Sequence, residues 1–188
     1  MTFKGSNARA IFDCDVCHNE FDTLLYNVLT GYWCGSCRLR TESKVLKYLR
    51  EVYPHCKRQL RYEWARFSKT NHIMPFDFGL EEEKILIELD GIQHFEQVSN
   101  WDHPDNVKAK DVEKMIKAVE AGYSVIHIFQ PEVWSDVYDW KAVLKEQVEQ
   151  LKIMKHEKGL CVFVSRRGIY GEHIRVVEES VRVERIQP

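Results

Sequence analysis

Long apolar runs are missing from this chain of 188 residues. No segment approaches the roughly 18 to 20 apolar residues that span a bilayer, so no membrane-spanning helix is expected. The opening stretch MTFKGSNARA lacks the apolar centre of a secretion signal, and an intracellular setting, cytoplasmic or nuclear, is expected rather than export. With 44% hydrophobic and 30% charged residues the composition is that of a globular chain, one domain of ordinary size plus a small appendage, and not of a disulfide-held mini-protein. A large net charge is missing as well, the formal sum being -2. That sum hides a strong asymmetry. Between Arg38 and Asn71 ten basic residues face three acidic ones, a local +7, whereas between His72 and Asp105 nine acids face Lys84 alone, a local -8. A cationic stretch beside an anionic one suits a protein that neutralises backbone phosphates with one part and holds a cation with the other. Arg38, Arg40, Lys44, Lys57, Arg58 and Arg61 are the expected nucleic-acid contacts, against the plainer reading of solvated helix and strand faces.

Two of the six cysteines, Cys56 and Cys161, have no partner at a useful spacing and read as buried thiols. The other four do. Cys14-Asp-Val-Cys17 and Cys34-Gly-Ser-Cys37 are two CxxC knuckles separated by 16 residues, the pattern of a closed four-thiolate Zn2+ site. Such a site is structural, and a segment this short depends on its metal to fold. His18 in place of one thiolate is an alternative ligand set. A disulfide suits an intracellular chain poorly. The zinc ribbon is expected to present loops to DNA or to brace the next helix; ribbons also mediate protein contacts.

The richest pattern is Phe76-Asp77-Phe78-Gly79-Leu80, the turn Glu81-Glu82-Glu83-Lys84, and Ile85-Leu86-Ile87-Glu88-Leu89-Asp90. It reads as a β-hairpin whose paired positions sum to 165, which sets Asp77 opposite Glu88 with Asp90 two places further along the same face. Phe76, Phe78, Leu80, Ile85, Ile87 and Leu89 form the other, apolar face, and that face fixes the register. Three carboxylates so close repel by roughly 3 kcal/mol per pair at an effective dielectric near 20. A raised pKa or a bound cation must compensate, and hard oxygen ligands favour Mg2+ or Mn2+. Such an ion activates water against a phosphodiester. The plain alternative is a solvated polar face on an edge hairpin.

Around the hairpin the elements follow in the order αβββαβ. A helix is expected from Thr41 to Val52, a strand over Arg58–Ala65, the hairpin, a helix from about Asn106 to Ala121 with Gly122 as its stop, a strand over Ser124–Phe129, and a helix from about Val137 to His156. Leu160–Val164, Ile174–Val177 and Val181–Val183 read as short strands. The division expected is a ribbon over 1–40, a core over 41–158 and a β extension over 159–188. The extension is open to three uses: enlarging the core sheet, contacting nucleic acid or forming a homodimer surface.

That order, an α/β fold with acids on its second and third strands, resembles the PD-(D/E)XK nuclease superfamily. Pro75-Phe76-Asp77 matches the first acid of the family pattern and Glu88 the second. Glu88-Leu89-Asp90-Gly91-Ile92-Gln93-His94 looks like the ExDGxxH variant of homing-endonuclease-like and very-short-patch-repair-like members, several of which carry zinc ribbons. The resemblance covers residues 38 to 135 and implies a Mg2+- or Mn2+-dependent endonuclease acting on DNA, with Asp77, Glu88 and Asp90 at the metal. One departure matters: Asp90 stands where the family has lysine. The resemblance leaves His94 or Lys114, within Asp111-Val-Glu-Lys114, to supply the missing cationic or proton-transfer group, and Glu42 as an extra acid from the first helix. A nuclease fold that has lost activity, a branched-DNA or RNA-cutting enzyme of the same chemistry, and a zinc-ribbon adaptor that binds protein are the rival readings.

Overall fold

The computed structural model describes residues 8–14, 20–29, 34–35, 40–95, 104–154 and 159–188. Near the N-terminus β1 (Arg9–Asp13) and β2 (Glu20–Leu24) pair antiparallel, with Phe12 and Phe21 stacked across the pair at 5.8 Å, and α1 (Leu25–Leu29) follows. Cys14 and Cys34 are both buried, while Cys17, Cys37 and Arg38 lie outside the described residues, so closure of the four-cysteine set falls outside them too. Among the described residues no helix is long and apolar enough to cross a membrane.

The chain then runs α2 (Arg40–Val52), β3 (Lys57–Leu60), β4 (Phe76–Leu80), β5 (Ile85–Asp90), α3 (Pro104–Glu120), β6 (Ser124–Phe129), α4 (Gln130–Trp134), α5 (Trp140–Ile153), β7 (Cys161–Val164), α6 (Gly171–Val177) and β8 (Val183–Ile186). It is a mixed α/β fold. All six later strands form one sheet in the order β3-β4-β5-β6-β7-β8, antiparallel from β3 to β5 and parallel from β5 to β8. β5 is buried at every position, as a strand covered on both faces must be.

Period-two alternation sorts the side chains into two layers. Ile85, Ile87, Leu89, Ile126, Ile128, Val162 and Val164 face Val45 and Leu49 of α2 and Leu144 and Val148 of α5. Leu86, Val125, Phe129, Cys161 and Phe163 face Met115 and Val119 of α3 and Ile174 and Val177 of α6. Glu88, Asp90 and His127 share the parity of this second set, so the polar cluster is roofed by α3 and α6.

Several expected elements are corrected. The strand expected over Arg58–Ala65 stops at Leu60; Tyr62 and Trp64 instead stack on each other at 4.8 Å, over the α3 face. Phe76, expected with the apolar face of its hairpin, joins that aromatic group, its ring 5.7 Å from Trp64. The helix expected from about Val137 is present as α5 but begins at Trp140, where Asp139 caps the start by accepting from the Ala142 N–H at 3.1 Å, and the short α4 that precedes it was not expected. Ile174–Val177, read as a strand from its β-branched residues, is helical: His173, Ile174 and Val177 are buried at helical spacing. β7 and β8 enlarge the core sheet, one of the three uses open to the C-terminal residues.

Gly159 marks the tightest approach in the core. A Cβ there would lie 1.8 Å from the Tyr123 carbonyl oxygen and 2.8 Å from the Ser124 nitrogen, backbone atoms that have nowhere to go while Val125 N–H donates to Leu160 O at 2.9 Å. Gly159→Ala is therefore expected to lower unfolding free energy by about 3 kcal/mol, read as a fall in denaturant midpoint at constant m-value. An unchanged midpoint contradicts this packing.

Candidate active site

The β4–β5 ladder pairs Phe78 with Ile87, Gly79 with Leu86 and Leu80 with Ile85, so its register sums to 165 as expected and ends one place short of Asp77 and Glu88. Lys84 closes the turn in the left-handed region at φ 57. Beyond Phe78 the Asp77 side chain takes over from the ladder, its Oδ2 accepting from the Leu89 N–H at 2.9 Å. Gln59, itself at φ 53, brings its amide nitrogen to 3.4 Å from the other Asp77 oxygen.

Glu88 is 7% exposed, and the Lys114 ammonium reaches down from α3 to 2.7 Å from its Oε1. The same ammonium sits 4.5 Å from the centre of the Phe76 ring, a cation–π contact that steadies it over the acids. The approach to Glu88 is at ion-pair distance without the geometry of a hydrogen bond. Burial pushes the Glu88 carboxyl up to about 8, the pull of Lys114 notwithstanding, with Asp77 and Asp90 adding to the rise. Burial also raises Asp77, against the Leu89 N–H and Lys114. The acid pair is thus short of positive charge.

Asp90 belongs to a second, adjoining cluster. Its Oδ2 contacts His127 Nδ1 at 2.8 Å and accepts from the Tyr170 hydroxyl at 2.9 Å. Burial works against its charge, but His127 and His94 outweigh it and hold the carboxyl below its ordinary value. His127 stacks on Phe163 at 4.9 Å, and its Nε2 is buried without a hydrogen-bond partner. His94, on a single turn of 3-10 helix (Ile92–His94), contacts Asp111 Oδ2 through Nδ1 at 2.7 Å. Burial opposes the imidazolium, yet Asp111, with Asp90 and Glu88, carries His94 up to about 9. In return His173 and His94 overcome the burial of Asp111 and keep it well below the usual carboxylate range. A cavity of about 10 Å³, room for roughly one water, lies among Asp90, His94, Asp111, His127, Tyr170 and His173.

The structure therefore brings together Asp77, Glu88 and Lys114, and sets Asp90 and His94 beside them in the imidazole–carboxylate cluster. Glu42 lies on α2, whose buried residues pack on the opposite face of the sheet. Among the described residues no three His, Cys, Asp or Glu side chains converge as a metal-ligand group. Of the expected phosphate contacts, Arg40 opens α2, and Arg58 and Arg61 are exposed. Two others are already engaged within the fold. Lys44 donates to the Val133 and Trp134 carbonyls at 2.9 and 3.3 Å and pairs with Asp136 at 2.6 Å, and Lys57 pairs with Glu81. The space at Gly91 is filled by the Gln93 amide, which a Cβ would meet at 2.3 Å.

His127, Tyr170 and His173 escaped the sequence reading, and Asp111 entered it only as part of a motif. His127 had a signal: a polar residue inside the apolar strand Ser124–Phe129, which parallel pairing sets beside Glu88. Tyr170 and His173 had none, since the helix that carries His173 reads as a strand.

His94 offers a direct measurement. Its raised pKa contributes stability that is fully present below the unfolded value near 6.5 and is lost as pH rises through about 9. The depressed Asp111 contributes above the unfolded aspartate value near 3.9 and loses its share in acid. Asp111→Asn should bring the NMR-titrated His94 pKa down toward 6.5, with a stability loss on the order of 2 kcal/mol, largest from about pH 4 to 6.5 and fading by about pH 9. A wild-type His94 that titrates near 6.5 contradicts the ion pair.

Compared with known proteins, the chain matches no family model, no curated protein and no solved structure.

Proposed function

We propose that the chain is a Mg2+- or Mn2+-dependent endonuclease acting on DNA, built on a PD-(D/E)XK-like core with a four-cysteine zinc ribbon in front. The observation that carries this reading is the meeting of Asp77, half-buried on β4, and Glu88, buried on the neighbouring β5, whose Oε1 makes no hydrogen bond and stands at ion-pair distance from Lys114 of α3. Asp77 and Glu88 are oxygen donors of the type a hard divalent cation takes, and Glu88 Oε1 is a buried polar atom that makes no hydrogen bond, so the residues fit the ion. When bound, the ion lowers the pKa of a water and neutralises charge on the scissile phosphate.

The protein's own groups do the rest. Lys114, held over Phe76, supplies positive charge that the family pattern takes from the strand position occupied here by Asp90. His94, raised by its pairing with Asp111, is suited to contact a phosphate oxygen or to give a proton to the leaving oxygen. Asp90, with Oδ2 committed to His127 and Tyr170, holds the end of β5 as much as it adds charge to the metal site. Exposed Arg58, on the β3 strand that pairs with β4, and Arg61 just after it are the backbone-phosphate contacts. Cys14, Cys17, Cys34 and Cys37 are assigned to a structural Zn2+.

One observation favours a second reading, a nuclease fold that binds nucleic acid without cutting it: the Lys114 ammonium already stands against Glu88. Cleavage assays separate the two. With Mg2+ or Mn2+ and single-stranded, duplex, branched and RNA substrates, the wild type should cut at least one DNA, and Asp77→Ala or Glu88→Ala should slow it by about 100-fold or more. Lys114→Met should lower kcat by about tenfold or more with the fold intact. A double Asp77→Ala, Glu88→Ala variant that cuts at the wild-type rate removes this centre from the chemistry, and binding without cutting under every condition selects the second reading.

A further inference from the structure

Two buried polar residues of the C-terminal part have no share in the chemistry above. Past β7 the chain turns at Gly168, φ 62, and enters α6, bringing Tyr170 and His173 under the roof of the sheet at 3% and 4% exposure. A phenylalanine and an aliphatic residue would fill that space without the desolvation that a buried hydroxyl and imidazole entail. Each polar tip is instead aimed at a carboxylate of the site. Tyr170 donates to Asp90 Oδ2 at 2.9 Å. His173 Nε2 stands 3.7 Å from Asp111 Oδ2, the same oxygen that His94 Nδ1 contacts at 2.7 Å. The Phe95 ring, next in the chain to His94, is set edge-on to both, 5.2 Å from Tyr170 and 5.2 Å from His173.

Among the described residues the turn that carries His94 is held by two backbone bonds, His94 N–H to Gly91 O at 3.2 Å and Phe95 N–H to Ile92 O at 3.0 Å. The direction of the imidazole must come from what packs on it: Asp111 from α3, and Phe95 wedged against α6. We propose that Tyr170 and His173 are positioning residues of this site, holding Asp90 and Asp111 from α6 and, through Asp111 and Phe95, fixing the direction of the His94 imidazole. The inference extends the nuclease reading in its catalytic consequence, but the arrangement of side chains it asserts stands apart from that reading. It makes β7, α6 and β8 a working part of the site.

The test uses the full chain with three variants, His173→Phe, His173→Gln and Tyr170→Phe, the glutamine keeping a donor where the imidazole nitrogen lies. Two readouts are taken: kcat and KM for Mn2+-dependent cleavage of an oligonucleotide, and the long-range 1H–15N spectrum of the His94 imidazole. His173→Phe and Tyr170→Phe should lower kcat by about tenfold with KM within about twofold. The His94 Nδ1 resonance should broaden or move in His173→Phe, and His173→Gln should recover most of both signals. Should His173→Phe fail to fold, Tyr170→Phe carries the same two readouts. Wild-type kcat together with an unmoved His94 resonance in the phenylalanine variants overturns the inference, as does a His173→Gln protein as impaired as His173→Phe. If the wild type cuts nothing, the nuclease reading fails by itself, and the His94 spectrum alone then decides whether α6 positions it.

Discussion

Two ionisable carboxylates buried side by side on one strand set the terms for everything around them. Glu88 and Asp90 are 7% and 6% exposed on a strand with no exposed residue, so water cannot solvate them and the protein must. The compensation comes from other elements in a complementary order. α3 carries Asp111 and Lys114 one turn apart on one face, and each meets its opposite below, Lys114 against Glu88 and Asp111 against His94. β6 and the lead into α6 complete the set with His127 and Tyr170 on Asp90. Shifting α3 by one residue would turn both charges away together, so the polar pairs fix how the helix sits where apolar contacts alone would tolerate a slide.

An acid at position 90, two residues from Glu88, explains why the cluster divides. A lysine at that position would lie on the same face as Glu88 and meet it directly. With an acid there, the positive charge has to come from across the layer, and α3 supplies it while Phe76 gives the ammonium an aromatic bed. Asp90 is then a second negative centre with its own donors, and it draws the imidazoles of His94 and His127 toward the end of β5. Even so, Glu88 remains raised and one of its oxygens unmatched: the division gives Asp90 its donors and leaves Glu88 short.

Much of this was legible because it is local. Hairpin register follows from alternation and a four-residue turn, and Phe78–Ile87, Gly79–Leu86 and Leu80–Ile85 obey it. Lys114 was legible as a candidate through the resemblance of Asp111-Val-Glu-Lys114 to a nuclease pattern, on the helix that follows the acids. What depends on distance along the chain was not. Phe76 left the expected face because Tyr62, Trp64 and Lys114 offer it a better neighbourhood than its own strand does. The basic stretch could be counted, but not that Lys44 caps the carbonyls at the end of α4 or that Lys57 is paired with Glu81. In α6, Ile174-Arg175-Val176-Val177 has the β-branched composition of a strand, and only burial of His173, Ile174 and Val177 along one side gives the helical period away.

The same dependence on distance reaches the far side of the sheet. Glu132 of α4 is 2% exposed and carries no cationic partner among the hydrogen bonds it accepts: these come from the Ser165 hydroxyl at 3.2 Å and from the backbone N–H groups of Arg166 and Arg167 at 3.0 and 3.2 Å. A carboxylate so placed braces the bend between β7 and α6, accepting from the Arg166 N–H and sharing the Arg167 N–H with the Ser165 hydroxyl oxygen, which lies 3.1 Å from it, as the chain leaves the strand. The bend sets where Tyr170 and His173 arrive, and they in turn meet Asp90 and Asp111. One buried acid on the α4 connection thus braces the bend from which Tyr170 and His173 reach two others on the opposite layer.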